Sequence, residues 1–299
     1  MTDAIGIAGL GRMGEAMGLR LIEKGRALAV WNRTPGKARA LLDAGAAWAE
    51  SPAALAGRVG TVVTMLTDAE AIEAVYGGPH GILAADLSGR LVVEMCTVRP
   101  ETQAALAERV RARGGAFVEC PVGGTTGPAR NGALLGMAGG EAADVARARP
   151  LLEDLCRRVE HVGPVGAGSS LKLAINLPLL VFYQALAEAW TLCGHIGRDP
   201  EWMMAFFADT TGGPNVLRAR GAAIGRMLGG GEPGPVAFDV DSIRKDLRTM
   251  LAEAESRGAD LPLARRTLAV YDEAAAAGWG GKDGSNLPAY WPNRAGGTR

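Results

Sequence analysis

The chain has 299 residues, 48% of them hydrophobic and 21% charged, which is enough for a buried core and unlike a disordered chain. Lysine plus arginine and aspartate plus glutamate each number 32, so there is no bulk positive field to recruit nucleic acid or an anionic membrane. The four scattered cysteines (Cys96, Cys120, Cys156, Cys193) and three histidines show no zinc-type spacing, so no metal is expected and free thiols in a reducing cytoplasm fit best.

The first ten residues lack a signal-peptide pattern, and no uninterrupted apolar run approaches the ~20 residues of a bilayer span, so a soluble cytoplasmic protein is expected. Residues 4–8 read as a strand, 13–24 as a helix stopped at Gly25, 27–31 as a second strand and 35–43 as a helix. Further strands fall at 61–66, 91–94 and 116–119, separated by helices such as 99–113, with two more strands at 134–138 and 159–162. This alternation predicts a Rossmann-type, largely parallel sheet with helices on both faces. After Gly163 the strand pattern ends. Residues 169–196 read as one long helix, apolar on most sides, in which Pro178 removes a backbone hydrogen bond and predicts a local kink. Helices are also expected at 200–208, 215–227, 240–257 and 263–277, with a loop at 229–235. The expected fold is α/β: an N-terminal Rossmann-type domain over 1–163, followed by an all-helical domain over 164–299 for substrate binding and dimerisation. A helix so apolar all round suits a subunit interface, so a homodimer or homotetramer is expected.

The segment Gly9-Leu10-Gly11-Arg12-Met13-Gly14 lies between the first strand and the first helix. In that context Gly9 permits the tight turn, Gly11 lets a pyrophosphate approach the backbone, and Gly14 lets the helix pack closely on the strand. The helix then directs its positive dipole end at the phosphates. An NAD site would carry an acid at the end of the second strand, to hold the ribose hydroxyls. This chain has Asn32, Arg33, Thr34 and Lys37 there instead, a set able to hold a 2′-phosphate, so NADP(H) is the expected cofactor. Arg33 and Lys37 also have a plainer reading as solvated loop charges.

Lys172 and Asn176 stand four residues apart, on one face of the long helix, behind the glycine-rich turn 163–168. Two readings of Lys172 stand side by side. Among Leu171, Leu173, Ala174 and Ile175 it is either a desolvated lysine that exchanges protons near neutral pH, or a lysine snorkelling from the helix edge.

Five segments taken together carry a resemblance: the glycine turn 9–14; 93–97, ending at Thr97; 119–124, Glu-Cys-Pro-Val-Gly-Gly; 166–172 with Asn176; and 245–247, Lys-Asp-Leu. The chain resembles the β-hydroxyacid dehydrogenase family, which includes 3-hydroxyisobutyrate dehydrogenases and semialdehyde reductases and is related to 6-phosphogluconate dehydrogenase. The resemblance implies reversible hydride transfer between NADP(H) and a small 3-hydroxy acid or semialdehyde. It gives Lys172 the role of proton donor and acceptor for the reacting oxygen, which Asn176 helps to hold. Thr97 would contact the nicotinamide side, and Met65 and Leu66 would line the cofactor path. Lys245 would reach across a cleft between the domains toward cofactor and substrate, with Asp246 beginning a supporting helix. Gly123 and Gly124 would offer backbone N–H groups to a substrate carboxylate.

The chain departs from the family pattern around the substrate. Where the family commonly has Pro-Val-Ser-Gly-Gly, Gly123 removes the serine hydroxyl, and Thr125 or Thr126 would replace it. Arg130 and Asn131 read either as part of the acid pocket or as surface residues. Leu177 and Pro178 stand where many relatives carry another asparagine. Thr211 to Gly213 would belong to the far wall, Asp209 is a weaker candidate, and Trp202, Phe206, Phe207 and Phe238 read as core packing. Cys96 and Cys120 receive no role. Two other readings share this fold: an imine reductase or reductive aminase, against which the lysine at 172 argues, and a non-catalytic NADP(H)-binding protein.

Overall fold

The computed structural model describes residues 4–294; residues 1–3 of the N-terminal segment read above, and the end of the helical domain from 295, lie outside the described residues. The chain divides into two compact units, Met1–Leu173 and Ala174–Arg299.

The first unit is built on nine strands: β1 (Ile5–Ala8), β2 (Leu28–Trp31), β3 (Ala47–Trp48), β4 (Thr61–Thr64), β5 (Leu91–Glu94), β6 (Ala116–Glu119), β7 (Val122–Gly123), β8 (Leu134–Gly140) and β9 (Cys156–Gly163). Between them run α1 (Arg12–Glu23), α2 (Arg39–Asp43), α3 (Pro52–Arg58), α4 (Ala69–Tyr76), α5 (Pro100–Ala112), α6 (Thr126–Arg130) and α7 (Ala142–Leu155). The sheet order is β3-β2-β1-β4-β5-β6-β8-β7, with β9 also paired to β8. Strands β1 to β6 are mutually parallel, and β8 runs antiparallel to β6 and β7.

Covering both faces of a parallel sheet leaves its central strands no polar side, and β1 and β5 are buried along their whole length. Successive residues then feed opposite cores. Val63, Val93 and Val118 pack with Met17, Leu21 and Leu152 on one face. Val62, Val92 and Phe117 pack with Leu55, Tyr76 and Leu106 on the other. Local caps set where the helices start. The Ser51 side chain accepts from the Ala54 N–H ahead of α3, and Asp68 from the Ala71 N–H ahead of α4. Ala8, Thr64, Glu94 and Glu119 are register partners across β1, β4, β5 and β6, forming one row at the sheet's C-terminal edge. In doubly wound sheets ligands bind beyond this edge.

The expected helix at 35–43 is a 3-10 turn, Pro35–Ala38, followed by α2, because Pro35 and Gly36 are poor helix interior residues. Strand β9 extends well past 159–162; its exposed Arg157, Arg158 and Glu160 hide an edge strand from an apolar pattern.

The long helix α8 (Ala167–Cys193) begins in the first unit and continues into the second, staying helical past Pro178. By length and composition it is also, among the described residues, the one helix apolar enough to cross a membrane, with 44% of its most apolar window buried inside the protein. Lys172, Asn176 and Gln184 interrupt its apolar run, which is why a search for an uninterrupted stretch passes over it.

The second unit continues with α9 (Pro200–Ala208), α10 (Asn215–Leu228), α11 (Val240–Ser256), α12 (Pro262–Ala274) and the short α13 (Leu287–Tyr290). Two expectations fail here. Asp246 does not begin a helix: α11 starts at Val240, where the Asp239 side chain accepts from the Ser242 N–H at 2.8 Å, and Asp246 lies in its second turn. Trp202 and Phe206 are not core residues; they are 51% and 60% exposed and stack on each other at 5.4 Å. Met203 and Met204 take the buried face of α9 instead. Apolar identity marks a residue as able to be buried, and helical phase decides which residues are.

Candidate active site

The glycine turn has the geometry its sequence requires. Gly9 sits at φ +99°, and a Cβ there would overlap the Met65 carbonyl oxygen and press on Leu66. A Cβ on Gly14 would overlap the Gly9 carbonyl oxygen, so the start of α1 packs directly on the turn. Gly11, in contrast, is exposed and a Cβ there would meet nothing. As the N-cap of α1 it provides no side-chain hydrogen bond. Two glycines close the turn and the third leaves its outer side open, beside a positive helix end. That is a cradle into which a pyrophosphate fits. Arg12 is exposed and Met13 half-buried at the same helix start.

Asn32 braces this turn. Its Oδ1 accepts from the Leu10 N–H at 2.8 Å, and its Nδ2 donates to the Thr34 carbonyl at 2.9 Å. Arg33, Thr34 and Lys37 are exposed on the same loop. Met65 and Leu66 follow β4 and rest against Gly9. The Leu66 N–H donates to the Cys96 Sγ at 2.9 Å, which gives the thiol a structural place that sequence reading did not assign. Thr97 follows, half-buried.

Two fully buried carboxylates complete the sheet edge. Glu94 accepts from the Cys96 N–H at 3.1 Å and from Thr64 Oγ1 at 3.4 Å, and Gln103 Nε2 donates to its other oxygen. Thr64 in turn meets the Tyr76 hydroxyl at 2.9 Å. Burial raises the Glu94 pKa against these hydrogen bonds, and burial likewise lifts Tyr76 well above its ordinary value. Glu119 accepts from Gly166, Gly168 and Ser169 at the start of α8. Burial raises its pKa too, opposed by those donors. Glu94 and Glu119 lie within the motifs at 93–97 and 119–124, but their partners are not evident from the sequence. An acid closing an apolar strand was the available signal.

Around Lys172, burial in α8 does not follow polarity, although Leu173, Leu180 and Leu186 are buried. Lys172 is only 7% exposed and Asn176 9%, while their apolar neighbours Leu171 and Ile175 are 39% and 44% exposed. This excludes a lysine snorkelling into water. Within the second unit, Asn176 Nδ2 donates to Asp246 Oδ2 at 3.2 Å, and Lys245 Nζ pairs with Asp246 Oδ1. The structure therefore brings Asn176, Lys245 and Asp246 into one cluster, with Lys172 one helical turn before Asn176.

The loop expected to hold the substrate acid is partly ordered as β7, where Gly123 pairs with Leu135. Gly124 follows at φ +124°, and Thr125 begins α6 without a side-chain cap. Arg130 is half-buried and pairs with Glu23, which favours the surface reading, and Asn131 is exposed. Thr211 and Gly212 lie exposed beyond α9.

Comparison with known proteins places these features in a family. Residues 4–163 match the model described as the NAD binding domain of 6-phosphogluconate dehydrogenase. Residues 166–291 match that described as NAD-binding of NADP-dependent 3-hydroxyisobutyrate dehydrogenase. A 3-hydroxyisobutyrate dehydrogenase of Pseudomonas aeruginosa is 33% identical over 92% of this chain and 93% of its own. Glyoxylate/succinic semialdehyde reductase 1 of Arabidopsis thaliana is 29% identical over 93% of this chain and 95% of its own. The solved structure of Psf3 in complex with NADP+ and 2-OPP superposes with a TM-score of 0.85 at 27% identity, covering 96% of this chain and 99% of that one.

Proposed function

The chain belongs to the β-hydroxyacid dehydrogenase family, and on that premise we propose that it transfers hydride reversibly between NADP(H) and a small 3-hydroxy acid or the matching semialdehyde. The observation that carries this reading is that Lys172 is buried while its neighbours Leu171 and Ile175 on the same helix are exposed. A lysine is not desolvated without a use for its proton or a partner for its charge.

Gly9, Leu10, Gly11, Arg12, Met13 and Gly14 would hold the pyrophosphate, while Arg33, Thr34 and Lys37 would hold the 2′-phosphate, with Asn32 bracing them. Met65, Leu66 and Thr97 would line the path to the nicotinamide, and Lys245 is a further candidate contact for the cofactor. Bound NADPH would supply the hydride. Lys172 would give its proton to the oxygen that gains charge in reduction, and take it back from the alcohol in oxidation. Asn176, oriented by Asp246, would hold that oxygen, and Gly123, Gly124 and Thr125 would anchor the acid group. The four cysteines, which form no disulfide among the described residues, support a reducing, cytoplasmic setting.

The test is the Lys172→Ala variant, assayed on short semialdehydes and 3-hydroxy acids. It should bind NADPH as the unmodified protein does and lose about 10²–10⁴ in turnover, the span of general acid–base catalysis. Unchanged turnover would overturn the assignment.

A further inference from the structure

Helices α3, α4, α9 and α11 begin on local caps, from Ser51, Asp68, Asp199 and Asp239. At the start of α8 a different element does this work. Glu119, the last residue of β6, accepts through Oε1 from the N–H groups of Gly166 at 2.6 Å and Gly168 at 2.9 Å. Its Oε2 accepts from the Ser169 N–H at 3.3 Å and the Ser169 hydroxyl at 2.6 Å. The groups are buried, and four donors converge on two oxygens, a match only a carboxylate satisfies in full. Glycines clear the space around it. A Cβ on Gly139 would overlap Glu119 Oε1, a Cβ on Gly168 would overlap the Met137 carbonyl oxygen, and Gly166 holds φ +98°.

A local cap ties a helix start only to the residue just before it, and its rotation is left to the packing of its buried face. A carboxylate fixed in the sheet sets both its position and its rotation. Ser169 lies three residues before Lys172 and seven before Asn176, so all three share one face of α8. Glu119 is also the register partner of Glu94, the last residue of β5, which Met95 to Thr97 follow directly. One residue therefore couples the setting of the lysine-bearing helix to the sheet edge.

We infer that Glu119 is a positioning residue, which acts on turnover through Lys172 by fixing the start of α8; this rests on the reading of Lys172 above. Replacing it by glutamine leaves one oxygen and turns an NH2 group toward N–H donors. Glu119→Gln should lower kcat by about 10²-fold, the scale of a 1 Å misplacement, with the Kd for NADPH within about twofold. Glu119→Asp should recover part of the loss. In a Lys172→Ala background, Glu119→Gln should not reduce the residual rate further.

Normal kcat in a folded Glu119→Gln protein would overturn the inference. So would parallel losses of kcat and NADPH affinity, or a further fall in the Lys172→Ala background, since either marks a general structural role. If Glu119→Gln fails to fold, Ser169→Ala decides, because it removes one of four donors: a lowered kcat at unchanged NADPH Kd supports positioning, and an unchanged kcat overturns it. Full turnover in Lys172→Ala alone would overturn the lysine reading and this inference with it. Loss there, with Glu119→Gln active, overturns this inference alone.

Discussion

In the proposed function, cofactor preference would rest on single residues at the end of β2. Asn32 is committed on both sides of its amide, to the Leu10 N–H and the Thr34 carbonyl, so it shapes the loop, on which Arg33, Thr34 and Lys37 are exposed. Removing both cations by Arg33→Ala and Lys37→Ala should raise the KM for NADPH about tenfold or more and change that for NADH little. Steady-state kinetics with both cofactors checks this; an equal effect on the two would place the cations outside the 2′-phosphate site. The missing acid and the neighbouring cations were legible in the chain, since one residue type at one offset from the glycines carries that signal. The bracing by Asn32 was not, because its partner Leu10 lies 22 residues away and meets it only in the folded sheet.

Among the elements, the C-terminal edge of the sheet has a pH signature. Burial raises the pKa of Glu94 and Glu119 from an ordinary value of 4.5, so above pH 4.5 the unfolded chain loses these protons before the native one does. Between 4.5 and the raised native values the native state holds more protons, and stability falls as pH rises. Asp283 acts the other way: burial pushes it up, but Ser285, the Ala237 N–H and Arg220 hold it below 3.8, so its contribution is present at higher pH and is lost in acid. Glu94→Gln removes one ionisation; its new NH2 group meets Gln103 Oε1, a buried oxygen without a hydrogen-bond partner among the described residues, once the Gln103 amide, whose Nε2 now faces Glu94, turns over. Urea denaturation across that window should show a shallower fall with pH than in the unmodified protein; identical slopes would contradict the shift. Four-residue strands such as β5 and β6 were readable from their apolar runs. The two-residue strands β3 and β7 were not, because two residues show no period. Nor was the buried face of α8 readable, since nearly every neighbour of Lys172 is apolar and no direction around the helix stands out.

For the whole molecule, exposed apolar residues recur along α8 and the turn after it, with Leu171, Ile175, Leu192 and Ile196 between 39% and 80% exposed. We propose that a second copy of the chain covers them, as a homodimer or homotetramer. Light scattering after gel filtration should give a mass of two or four chains, and a monomer would contradict the proposal. The two-part organisation was legible because strand patterning stops at Gly163. The compact division at Leu173 was not, because it falls inside a continuous helix. The central claim is that this lysine moves the proton while NADP(H) moves the hydride. Its most direct test is NADPH oxidation over a panel of short semialdehydes, measured for the unmodified protein and for Lys172→Ala at matched NADPH saturation. Turnover by the first on at least one member, with loss of turnover but intact NADPH binding in the second, is the predicted result. Equal rates in the two proteins, or no turnover by the unmodified protein despite saturable NADPH binding, would contradict it.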